Sequence, residues 1–120
     1  MDLTNRIVID LTEYGLTGEI VMVPPSPRRE AWLKNQSMKH SKIDPHTGRP
    51  DIATSDIGDI EVLKIMSFIK SAPFPIDKLD GYYDYCDKID EEQPGVSRKI
   101  HMALAEASVK LDMGETSPLE

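Results

Sequence analysis

Cysteine is almost missing from this chain. Cys86 stands alone, so no internal disulfide can staple the fold, and a reducing compartment is expected. Long apolar runs are missing too. The densest segment, Ile60 to Ile69, is interrupted by Glu61, Lys64 and Ser67 and falls far short of the ~20 residues needed to cross a bilayer. The N-terminus carries no basic stretch followed by an apolar run, so a secretory leader is not expected and the cytoplasm is the expected location. Positive charge is scarce: the net charge is −7 and the pI about 4.9. Such a chain repels phosphate backbones at long range, so nucleic acid is not an expected partner, whereas a basic protein surface is. Repeats, low-complexity tracts, phosphate-cradling glycine loops and dinucleotide fingerprints are all lacking.

What is present suits one soluble domain. The chain has 120 residues, 39% hydrophobic and 29% charged, values typical of a folded globular domain. A domain of this size buries roughly two-thirds of the surface its unfolded chain exposes. We place the domain at residues 1–114 and a polar tail at 115–120, in which Leu119 and Glu120 match the scar of a common cloning site.

The order of elements points to an α+β fold that is mainly α. Arg6 to Leu11 and Glu19 to Val23 are β-branched runs separated by a segment holding Gly15 and Gly18, the pattern of a hairpin over residues 5–23. A lone hairpin is marginal in water, so it must pack on helices or join another strand. Its free edges offer one route to a homo-oligomer. Pro24 and Pro25 end the second strand. Ser26 before Pro27 then starts a helix running to about Lys39, serine capping and proline filling the first helical position. A long polar segment, 40–58, follows with two prolines and two glycines. About three more helices are expected: Asp59 to Ser71, stopped by Pro73 and Pro75; 76–91, with Ile76, Leu79, Tyr82, Tyr83, Cys86 and Ile89 inward and Gly81 as a weak point; and 97–113, with Ile100, Leu104, Ala107 and Leu111 as its stripe and Gly114 as its stop.

No residue pattern requires catalysis. His40, His46 and His101 have no partner at zinc-ligand spacing. Asp44 to Asp51 lacks the alternating oxygens and closing glutamate of a calcium loop, so a plain turn is expected. Cys86 has no base or cation on its helical face, as a nucleophile would need. No metal or cofactor is therefore expected. What remains is a surface. Asp84, Asp87 and Glu91 share one helical face, which reads as a solvated flank or as a binding band for lysine and arginine. Tyr82, Tyr83 and Tyr85 cannot all point inward, and an exposed tyrosine is a common interface anchor. Candidate partner-binding residues are accordingly Tyr82, Tyr85, Asp84, Asp87 and Glu91.

The succession of segments carries a resemblance. After the hairpin come Pro-Pro-Ser-Pro-Arg-Arg-Glu, a polar loop with Asp and Gly, Gly-Asp-Ile-Glu-Val-Leu, Phe-Ile-Lys-Ser-Ala-Pro-Phe-Pro and a helix ending Asp-Tyr-Cys-Asp-Lys-Ile-Asp. Over about residues 5–112, and most of all over Val62 to Ile89, the chain resembles the small tail assembly chaperones of long-tailed bacteriophages and prophages. The resemblance implies a non-enzymatic protein that binds the helical tape measure protein before the tail tube forms. It also implies oligomerisation, absence from the finished virion, and a longer frameshifted form that recruits the tail tube protein. It carries over no defined site residue. The competing expectation is a small acidic adaptor or inhibitor of one target. An enzyme built on the acidic helix is a distant third, and would need a pocket holding two buried carboxylates.

Overall fold

The computed structural model describes residues 5–40, 45–48 and 57–114. The fold is α+β and mainly helical, with an N-terminal hairpin. Strands β1 (Ile7–Asp10) and β2 (Glu19–Met22) pair antiparallel in the register Ile7 to Met22 and Asp10 to Glu19. The turn between them is a short 3-10 helix, Leu11–Tyr14. Asp10 caps it by accepting Thr12 N–H at 3.0 Å and Thr12 Oγ1 at 2.7 Å. These bonds hold the Asp10 carboxyl below its usual range. Gly15 closes the turn at φ +78°, a left-handed conformation natural to glycine. Leu11 is carried fully into the core.

Helix α1 (Pro27–His40) begins as expected, with Ser26 Oγ accepting Arg29 N–H at 3.2 Å. None of its described side chains is fully buried. Directed polar contacts fix it instead. One Arg29 nitrogen, Nη2, donates to the Met66 and Ile76 carbonyls, both at 2.8 Å. The Arg29 guanidinium lies 4.1 Å from the Trp32 ring, and Trp32 Nε1 donates to the Asp77 carbonyl at 3.0 Å. Met66 closes the next helix, so Arg29 satisfies one of the carbonyls that a helix end leaves free. Burial lowers the Arg29 pKa from its ordinary value.

The second helix corrects an expectation. Helix α2 (Ile57–Met66) stops five residues early, and Ile69–Ser71 form a third strand, β3. Ser67 Oγ takes the Lys64 carbonyl at 2.6 Å, and Phe68 N–H takes the Ile65 carbonyl at 3.1 Å, a tightening common at helix ends. The chain then lies along β2, pairing Val21 with Ser71 and Met22 with Ile69 across an irregular register. Val23 N–H joins them by donating to the Phe68 carbonyl at 2.8 Å. The sheet order is β1-β2-β3. Ile20, Val21 and Met22 are all buried, so the centre strand is covered on both faces.

Helix α3 (Leu79–Glu92) starts three residues later than the sequence predicts. Ile76 is left in the preceding loop, where its carbonyl serves Arg29. Helix α4 (Val96–Met113) follows after Gly95, at φ +89°, and ends on Gly114, at φ +72°. Asp90 reaches across this turn and accepts Ser97 Oγ at 2.6 Å and Ser97 N–H at 3.2 Å. The core gathers Leu11, Ile20, Met22, Leu63, Met66, Ile69, Ile100 and Leu104 between sheet and helices. Most of the 40–58 loop, including half of Asp44 to Asp51, and the 115–120 tail lie outside the described residues; 45–47 form a turn. No helix among the described residues is long and apolar enough to cross a membrane.

Candidate partner-binding surfaces

The acidic face of α3 is as the spacing predicts, and one residue longer. Asp84, Asp87 and Glu91 are exposed, and Asp80 extends the row by one turn. Asp90 does not belong to it. Its carboxylate is engaged by Ser97, whose hydroxyl and N–H hold it below its usual range.

The tyrosines divide differently from the expectation. Tyr82 is only 3% exposed and cannot anchor a partner from the surface. Its hydroxyl shares a 2.8 Å hydrogen bond with His101 Nδ1 on α4, and burial pushes it well above the ordinary tyrosine range. Tyr85 is half-buried, its ring 4.9 Å from Phe74. It packs against the core and is partly exposed, so it is divided between core and surface. Tyr83, expected to point inward, is partly buried and donates to Asp59 Oδ1 at 2.5 Å. The other Asp59 oxygen lies 3.3 Å from His40 Nδ1. Asp59 thus ties the end of α1, the start of α2 and α3 together. Nothing local in the sequence announces that tie, because its members lie 19 and 24 positions apart.

Chemistry finds little to work with. A shallow cavity of about 300 Å³ is lined by Val62, Tyr82, Tyr83, Cys86, Arg98 and His101, with Ser97. Burial raises the Cys86 thiol pKa, against a smaller lowering from Tyr82. That direction is the opposite of what a thiolate nucleophile needs. The carboxylates that line the described cavities, Glu61, Asp77, Asp80 and Asp112, are all exposed. Among the described residues no group of three or more His, Cys, Asp or Glu side chains is placed to hold a metal ion.

A second surface escaped the sequence reading. On α4, Met102, Val109 and Met113 are 60%, 55% and 65% exposed. Their spacings of seven and four put them on one face, opposite the buried Ile100, Leu104, Ala107 and Leu111. The signal was present: α4 has apolar residues at helical spacing on two faces, and a helix needs only one to pack. Beside this stripe runs an apolar groove of about 210 Å³ between α2 and α4, lined chiefly by Ile65, Phe68, Ala105, Ser108 and Val109.

In comparison with known proteins, no family model matches the chain, and no curated protein or solved structure matches it either.

Proposed function

We propose that this chain is a non-enzymatic assembly chaperone of the long-tailed phage type, acting in the host cytoplasm. In this reading it binds the tape measure protein and keeps it soluble before the tube forms. The observation that carries the reading is the exposed methionine and valine stripe of α4 beside the α2–α4 groove. Among the described residues Val8 and Met38 are also exposed, but each lies on another element, and only on α4 do three such side chains share one helix face. Surfaces of this kind mark protein–protein contact, and a helical client would lay its apolar face into such a groove. The acidic row on α3 favours a basic partner and speeds encounter. The half-buried thiol with a raised pKa and the exposed cavity carboxylates fit a role without bond chemistry.

The test is co-expression. Co-expressed with a candidate tape measure protein, the chain should shift that protein from the insoluble to the soluble fraction and co-purify with it. If the client stays insoluble, or stays soluble without contact, the reading fails. The row Asp80, Asp84, Asp87, Glu91 supports a second reading, a small acidic adaptor or inhibitor. That reading expects a monomer that binds one folded target with strong salt dependence. Recruitment of a tail tube protein and self-association belong to the first reading and are tested in the same co-purification.

A further inference from the structure

We propose that this chain forms a two-fold dimer in which β1 of one copy pairs antiparallel with β1 of a second copy, centred on Val8. The dimer goes beyond the client-binding reading, because it rests on the sheet alone and gives self-association a face. Among the described residues β1 pairs only with β2, so its outer edge presents unpaired backbone groups. The register shows which groups these are. Leu11 N–H donates to the Gly18 carbonyl at 3.1 Å, one step beyond the Asp10–Glu19 pair. Antiparallel pairs alternate between bonded and unbonded. Ile9–Ile20 and Ile7–Met22 are therefore bonded pairs, and Val8 and Asp10 turn their backbone groups outward, as does Arg6 beside them. On the other side of β2 the same alternation sends Val23 N–H to the Phe68 carbonyl at 2.8 Å.

The residues of this edge complement themselves. Read against itself about Val8, Arg6-Ile7-Val8-Ile9-Asp10 sets Arg6 opposite the second copy's Asp10 and Ile7 opposite its Ile9. Val8 N–H meets the second copy's Val8 carbonyl, and Asp10 N–H meets its Arg6 carbonyl, each twice by symmetry. The Asp10 carbonyl is left to the 3-10 turn that Asp10 caps. Arg6, Val8 and Asp10 share the outer face of the strand, and all three are exposed, Val8 by 45%. Asp10 also lies directly across from the exposed Glu19 on β2, and like charges so placed repel. Arg6 of a second copy offsets that repulsion. Both Thr12 bonds go to Asp10 Oδ1, which leaves Oδ2 for the guanidinium. The hairpin's remaining charge, Glu13, lies in the turn at the same acidic end. The net charge of −7 on each copy opposes the pair, but salt at about 0.15 M screens charges more than about 8 Å apart. A slip of two residues sets Asp10 against Val8 and loses both Arg6–Asp10 pairs.

A pairing from Arg6 to Asp10 buries less than the ~800 Å² per partner of a standard interface, so the dimer should have a Kd of about 1 µM or above. Sedimentation of the full chain from about 20 to 1000 µM, in about 0.15 M salt, should show a reversible monomer–dimer equilibrium. Amide exchange on the wild-type chain then reads the register. Ile7 and Ile9 N–H groups, held by β2, should be protected at every concentration. Val8 and Asp10 N–H groups should exchange at least about threefold more slowly at the top of that range than at the bottom. Val8→Pro removes an outward N–H without touching the β2 ladder. It should weaken the dimer at least about tenfold with the far-ultraviolet circular dichroism unchanged. Arg6→Glu and Asp10→Arg should each weaken it at least about fivefold, and an equimolar mixture of the two should restore it, because every facing pair is then opposite in sign. The wild-type exchange pattern decides even if a variant fails to fold. A chain monomeric throughout the range, a dimer whose Val8 amide keeps the monomer rate, a folded Val8→Pro chain that dimerises like wild type, or folded charge variants that pair no better mixed than alone would each overturn the proposal. The co-expression test separates it from the function above. A wild-type chain that stays monomeric yet solubilises the client removes this dimer and leaves the chaperone reading. A dimer protected at Val8 that ignores the client does the reverse.

Discussion

Gly81→Ala should destabilise this protein, against the ordinary rule for a helix. Within α3, alanine is favoured over glycine by about 1 kcal/mol on propensity alone. Here, however, a Cβ at position 81 would sit 2.9 Å from Pro75 Cβ, 3.0 Å from its Cγ and 3.1 Å from its Cδ. Ordinary contact requires the proline ring to retreat by about half an ångström. The ring cannot swing aside freely, because it leads directly into Ile76, whose carbonyl holds Arg29 at 2.8 Å. Overpacking of this kind costs about 1–3 kcal/mol, so the net loss should be about 1 kcal/mol, or about 4 °C in Tm. Urea unfolding followed by circular dichroism measures it. Gly58→Ala, in the first turn of α2, meets nothing within 4 Å and should instead gain up to about 0.5 kcal/mol. A Gly81→Ala protein more stable than wild type would refute the close approach of α3 to Pro75.

Three further outcomes follow from the same contacts. Arg29→Ala should cost about 2 kcal/mol, since two carbonyls lose a charged donor; the emission of Trp32, the only tryptophan, should shift red as α1 loosens, and an unchanged spectrum would argue against the clamp. Asp90 is held below its ordinary pKa chiefly by Ser97 Oγ, so its contribution is present above the unfolded carboxylate pKa of about 4 and fades as pH falls through the folded value; Asp90→Asn should flatten that part of the Tm–pH profile, and an identical profile would sink the assignment. Leu104→Ala, at a fully buried site, should cost about 2–5 kcal/mol in urea unfolding, and a loss below about 1 kcal/mol would mean the site is not core.

The parts legible in the sequence are those written by near neighbours. Ser26 and Pro27 announce α1, Gly114 ends α4, and the β-branched runs around Gly15 and Gly18 give the hairpin. Ile69 to Ser71 were not legible as a strand, because helical spacing continues through Phe68 and Ile69. The deciding fact is the open edge of β2, far away in sequence. Gly81 read as a weakness because propensity counts only the helix, not Pro75 across from it. The acidic face came directly from spacing. The burial of Tyr82 was also written there, since Leu79, Tyr82 and Ile89 fall in one phase, and the structure buries all three. The α4 stripe was legible and passed over, because apolar residues on a helix are habitually assigned to the core.

The late pairing of β3 also sets an order of events. Val21 meets Ser71 across 50 positions of chain, whereas the hairpin closes locally. A long closure of this kind is entropically costly and slow to form. As the chain leaves the ribosome, β2 therefore waits with one side unsatisfied until α2 and the residues after it have been made. During that interval the bare edge is the segment most open to capture by another nascent chain. A chain released before Ile69 never completes its sheet, so premature termination should yield aggregates instead of a smaller folded protein.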